Sequence, residues 1–173
     1  MRYILILMSC FLSFSCNAKK EVKEKNGVVK TEIPCPKDGI CTFEVMQNKS
    51  LNILQDEIKA FYPQISDGNK IILKFQYKRN EIPNTADGGY TELIYVELDA
   101  NNLEIDLENS QLQEVKLLFA RLCFCRGQTG YYKVKKGILS IKKEKDTYFF
   151  NLNFTVPQVP QITTSINQSF VLK

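Results

Sequence analysis

The chain contains no histidine and no tryptophan among its 173 residues. Without an imidazole, Ser-His-Asp and Cys-His nucleophile systems are excluded. Zinc and non-haem iron sites that depend on histidine ligands go with them. Carboxylate-pair hydrolysis, Ser-Lys chemistry and an all-oxygen calcium site remain formally open. No residue constellation marks any of them, so a non-enzyme without cofactor or metal is expected. The lack of tryptophan leaves the core to Phe, Leu, Ile and Val, with tyrosine at its wet margins. A dominant charge is missing too. The formal net charge is +4, the excess lies largely in Lys19, Lys20, Lys23, Lys25 and Lys30, and nothing forms a nucleic-acid-binding stripe. Nor is there an apolar run long enough to span a bilayer, which takes about 20 residues.

What is present at the start is an export signal. Arg2 precedes an apolar stretch from Tyr3 to Phe14, broken only by Ser9 and Ser13. That length suits the core of a signal peptide. The stretch stops at Ser15-Cys16, and the chain is polar and charged from Asn17 onward. With Ser13-Phe14-Ser15-Cys16, residues 1–15 resemble the type II signal peptide of bacterial (Bacteroidota-type) lipoprotein precursors, although Ser13 stands where leucine is usual. Leu7-Met8-Ser9-Cys10 also fits the box, but would leave Phe11, Leu12 and Phe14 in the mature tail and is rejected. The competing reading is an ordinary cut after Ala18. The resemblance implies acyl chains on Cys16, a flexible tether over 16–33 and a soluble domain over 34–173. It also implies a partner in membrane lipid, and Asn17 points to the outer membrane of the cell envelope.

Beyond Cys41 the apolar residues recur with period two, which is the strand signature. Cys41, Phe43 and Val45 make one set, and Ile71, Leu73, Phe75 and Tyr77 another, with a turn expected at Asp67-Gly68-Asn69. Ile94, Val96 and Leu98, then Leu103, Ile105 and Leu107, read as a hairpin about Asp99–Asn102. Residues 115–125 are apolar on both faces, as in a central strand, with a short helix after Ser110 as the alternative. Leu139 and Ile141 pair with Tyr148 to Val156, a strand that Pro157 ends, and a last strand is expected near Phe170. Leu51, Leu54, Ile58 and Phe61 recur at three and four, predicting one short helix over 50–61. The expected fold is mostly β: a single antiparallel β-sandwich or small β-barrel with one short helix.

With Cys16 acylated, Cys35, Cys41, Cys123 and Cys125 form an even set in an exported chain and read as disulfides. Pro36-Lys37-Asp38-Gly39 could turn Cys35 onto Cys41. Cys123 and Cys125 on one extended strand would stand about 6.6 Å apart, at the far limit for a bond. The favoured pairing therefore ties the 35–41 turn onto the 123–125 strand. A four-thiolate metal site and a redox-active Cys123–Cys125 pair are the functional alternatives.

Arg126, Gln128, Tyr131 and Tyr132, set around Gly127 and Gly130, are a candidate binding loop for a carboxylate, phosphate or sugar. The loop at Asp87-Gly88-Gly89 is a weaker candidate. Glu104, Asp106 and Glu108 alternate along one strand and read as a solvated face. Three functions follow. The first is a lipid-anchored envelope protein whose non-catalytic domain binds another protein, a glycan or a lipid, or serves structurally. The second is a lipocalin-like carrier of an apolar ligand. The third is a thiol-disulfide protein using Cys123 and Cys125.

Overall fold

The computed structural model describes residues 35–81 and 83–172. The expected signal peptide, Cys16 and the expected tether lie outside the described residues. Nine strands form among the described residues: β1 Gly39–Gln55, β2 Phe61–Arg79, β3 Tyr90–Asp99, β4 Ile105–Glu108, β5 Leu118–Cys123, β6 Gly130–Lys133, β7 Gly137–Glu144, β8 Thr147–Phe154 and β9 Ser165–Phe170. They build two antiparallel sheets, ordered β1-β2-β3-β5-β6 and β4-β7-β8-β9. The only helical segment among the described residues is a 3-10 turn at Asn109–Gln113.

The period-two pattern of the sequence is realised as the interface between the sheets. Phe43, Leu73, Phe75, Ile94, Val96 and Phe119 face Leu139, Ile141, Phe150, Leu152, Phe154 and Ile166 in one apolar core. Ring contacts cross it, Phe43 to Phe150 at 5.8 Å and Phe119 to Phe154 at 5.9 Å between centroids. The larger sheet buries its other face as well. Ile72, Leu93, Tyr95, Leu118 and Ala120 close around Leu51 in a second cluster. That cluster exists because the β1–β2 hairpin bends. Its outer half folds behind the sheet until Phe61 pairs with Tyr131 of β6. Strands β2, β3, β5 and β6 thereby close into a small barrel, and a strand inside it needs apolar residues on both faces. The run at 115–125 supplies them, and β5 sits between β3 and β6 as a central strand.

Four expectations are corrected. The segment over 50–61 is not a helix. β1 continues to Gln55 and β2 starts at Phe61, because Leu51 and Ile53 enter the second cluster at strand spacing while Ile58 sits 85% exposed at the turn. Asp67–Asn69 is not the turn before β2. It is an irregularity within β2, where Lys49 opposes both Asp67 and Lys70 and the hairpin bends. Residues 94–98 and 103–107 do not form a hairpin, because the Asp99–Asn102 turn passes the chain from one sheet to the other. The last strand ends, rather than starts, at Phe170.

The cysteine pairing is a fifth correction. Cys35 bonds Cys41, and Cys123 bonds Cys125. Cys41 pairs with Tyr77, Tyr77 with Glu92, and Glu92 with Arg121. Three inter-strand steps, about 14 Å at ~4.8 Å each, separate the two cysteine pairs, beyond the ~7 Å limit for bridging. The objection to a local Cys123–Cys125 bond assumed an extended strand. β5 ends at Cys123, and the chain turns so that the two Cα atoms lie 5.2 Å apart. Loops this short constrain the unfolded chain less than the crossed pairing would: about 2 kcal/mol for the 35–41 loop against about 4.6 for a long one. Trypsin digestion without reduction should therefore leave peptide 31–37 linked to 38–49. Peptide 122–126 should emerge alone and two hydrogens lighter than its thiol form. A disulfide linking 122–126 to either of the others would restore the crossed pairing.

Candidate functional site

Before the bend of the hairpin, odd-numbered residues of β1 and β2 face the core, as do odd-numbered residues of β5 and even-numbered residues of β3, so at one end of the sandwich Tyr77, Arg79, Tyr90, Glu92 and Arg121 stand side by side. Glu92 is fully buried. Its Oε1 accepts the Tyr90 hydroxyl and the Ile162 N–H, both at 2.6 Å, and its Oε2 accepts the Thr163 N–H at 2.7 Å. The Tyr90 hydroxyl also accepts Arg121 Nε at 3.4 Å, while Arg121 Nη1 donates to Gln128 Oε1 at 2.8 Å. The Arg79 and Arg121 guanidinium carbons lie 4.5 and 5.4 Å from the Tyr90 ring centre, close enough for cation–π attraction. Asp38 faces Arg79 at 3.5 Å and accepts the Tyr77 hydroxyl at 2.9 Å, which docks the 35–41 loop on β2.

This arrangement binds the molecule to itself. Both Glu92 oxygens are committed to internal donors, and with no solvent access the carboxylate cannot take a proton from a substrate. Glu92 ties the 157–163 connection to the larger sheet, as a buried charge must be tied by several donors.

The predicted loop divides between two places. Gln128 belongs to the buried network, and Arg126 lies beside the Cys123–Cys125 bond and Phe124, which is 82% exposed. Tyr131 and Tyr132 point to opposite faces of β6, Tyr131 against the second cluster and Tyr132 against the main core. Both nevertheless line an open groove of about 540 Å³ at the seam between β6 and the start of β2. Lys59, Phe61, Lys133 and Lys135 also contribute to its walls. The Lys133 ammonium lies 4.7 Å from the Phe61 ring centre. Burial pushes the Tyr131 and Tyr132 phenols above their ordinary pKa. The 81–89 loop borders a second open hollow without a cationic side chain. Asp106 pairs with Lys142 and Glu104 accepts the Lys143 N–H, which leaves that strand face a solvated one.

Sequence reasoning missed Glu92, Lys59 and Phe61. Glu92 was detectable as an acid within the apolar run 90–98 that falls on the same alternating face as Tyr90, Ile94 and Val96. Lys59 and Phe61 were hidden by the helical reading of 50–61. No protein-family model, curated protein or solved structure matches the chain.

Burial, followed by the hydrogen bond to Glu92, raises the Tyr90 phenol to about 12, and burial does the same to Tyr95. A folded pKa above the unfolded value of ~10 means that Tyr90 contributes its full stability below pH ~10 and loses it as pH rises toward 12. Tyr90→Phe should remove one late-titrating phenol from the phenolate absorbance curve and cost about 1–2 kcal/mol at neutral pH. An unchanged high-pH limb in the variant would contradict this assignment.

Proposed function

We propose that the chain is a bacterial envelope lipoprotein, acylated at Cys16, that displays its 34–173 domain as a non-catalytic binding module. The anchor reading rests on the apolar run ending at Ser15-Cys16 and the polar tether after it; several acyl chains on one residue meet the requirement for stable anchoring. Asn17 after Cys16 supports an outer-membrane destination under the usual sorting rule for lipoproteins. The binding reading is carried by one observation: Glu92 and Arg121 are spent on internal contacts, whereas the lysines and aromatic rings of the β6 groove face solvent. A carrier of apolar ligands is the weaker reading, because the space among Phe43, Leu73, Phe75, Ile94 and Phe150 has no room for a water molecule, and a ligand cavity typically needs some hundreds of Å³.

The thiol-disulfide reading keeps one supporting observation, the bond between Cys123 and Cys125 beside exposed Phe124. Intact mass of the protein extracted from native membranes tests the main reading. The expected mass is that of residues 16–173 plus acyl chains, with Cys16→Ser lost from the lipidated fraction. An unacylated mass would overturn the anchor, and free thiols at Cys123 and Cys125 in the untreated protein would favour the thiol reading.

A further inference from the structure

We infer that the β6 groove is a binding site for an acidic saccharide, a sugar chain bearing carboxylates or sulfates. This deepens the binding-module reading above and does not depend on the anchor. Three observations carry it.

The first is charge. Lys59, Lys133 and Lys135 converge on the groove, and no carboxylate among the described residues lines it. The ion pairs among the described residues engage Lys49, Lys70, Lys74, Arg79, Lys116 and Lys142, and none engages a groove lysine. The ammonium groups are therefore available to an anion, which lysine binds as a point charge without a fixed fork.

The second is the ring platform. Phe61, Tyr131 and Tyr132 are half-buried, so each ring is held by the fold while part of it reaches the groove. An exposed aromatic edge or face gives the C–H side of a sugar ring a place to pack. The groove is open and mixed in polarity, and its volume of about 540 Å³ falls within the usual range for small-ligand sites.

The third is preorganisation. Lys59 sits on a turn fixed by four hydrogen bonds. Asp56 Oδ1 accepts the Ala60 N–H at 2.8 Å, the Asp56 N–H donates to the Ala60 carbonyl at 3.0 Å, the Lys59 N–H donates to the Asp56 carbonyl at 3.0 Å, and Gln55 Nε2 donates to the Lys59 carbonyl at 2.9 Å. Across the seam, Lys133 is steadied over Phe61. The cost of ordering these groups is thus partly met before a ligand arrives. A peptide strand is a poorer occupant, since lysines along a sheet edge discourage strand addition.

The test uses the full-length acylated protein in neutral detergent micelles, with tyrosine emission as the signal because no tryptophan obscures it. The probes are tetragalacturonate, neutral galactotetraose, inorganic phosphate, and glycerophosphoglycerol, the water-soluble headgroup of an anionic lipid. Lys133→Gln combined with Lys135→Gln is compared with a control pair, Lys37→Gln combined with Lys78→Gln, which removes the same charge elsewhere. Tetragalacturonate should bind the wild type and the control pair about tenfold or more tightly than it binds the groove pair. Galactotetraose and phosphate should bind the wild type at least about tenfold more weakly. Thermal unfolding of both pairs should match the wild type. The inference is overturned by equal loss in both lysine pairs, by equal binding of the neutral sugar, by binding of glycerophosphoglycerol or phosphate as tight as that of tetragalacturonate, or by no binding of tetragalacturonate. An acylated mass at Cys16 alongside any of those outcomes would leave the anchor standing.

Discussion

The bent arm of the β1–β2 hairpin is held behind the larger sheet by side chains that grip the backbone of Leu51. Its N–H donates to Glu97 Oε2 at 2.6 Å, and its carbonyl accepts Lys116 Nζ at 2.7 Å. Glu97 and Lys116 are themselves paired at 2.7 Å. β1 is an edge strand, so these backbone groups have no strand neighbour on their outer side, and a half-buried ion pair takes the place of a ladder. The Leu51 side chain then fills the closed space against Ile72, Leu93, Leu118 and Ala120. The two-faced burial of β5 and the meeting of Phe61 with Tyr131 both depend on that position. The groove does too, since one of its walls is the arm itself.

A second clamp works at the opposite face. Glu92, inside the core, gathers the Ile162 and Thr163 amides and the Tyr90 hydroxyl, and so fixes the connection that leads from β8 into β9. Charged groups in the interior are costly unless fully partnered. Here their partners come from within the chain, which directs attention to the surface for function. The two local disulfides reinforce the loops at this end, one docked through Asp38 and the other at the exit of β5.

Most of the strands were legible because one face of each meets the same core. Phe43, Leu73, Ile94, Leu139 and Phe150 all announce themselves at period two. The arm was not legible. Leu51, Leu54, Ile58 and Phe61 also satisfy helical spacing, and only the third dimension shows that Leu51 is enclosed while Ile58 is left in water. The exchange of sheets after Asp99 was equally hidden, since a turn sequence states that the chain reverses and not which sheet receives it. The crossed disulfides failed for a related reason: two strands intervene between Cys41 and β5, a count that pattern alone does not supply. In the groove, Tyr131 and Tyr132 could be singled out from their loop, whereas Lys59 and Phe61 come from the far end of the misread arm.

The arm's packing is the central claim, and the free energy of unfolding of Leu51→Ala beside Ile58→Ala tests it most directly. In a helix, residues seven apart share a face and would be buried alike. The enclosed Leu51 should cost about 2–4 kcal/mol on truncation to alanine, and the exposed Ile58 less than about 0.5 kcal/mol, measured by urea unfolding. Similar losses at the two positions, or a negligible loss at Leu51, would contradict the folded-back arm and the closed barrel that depends on it.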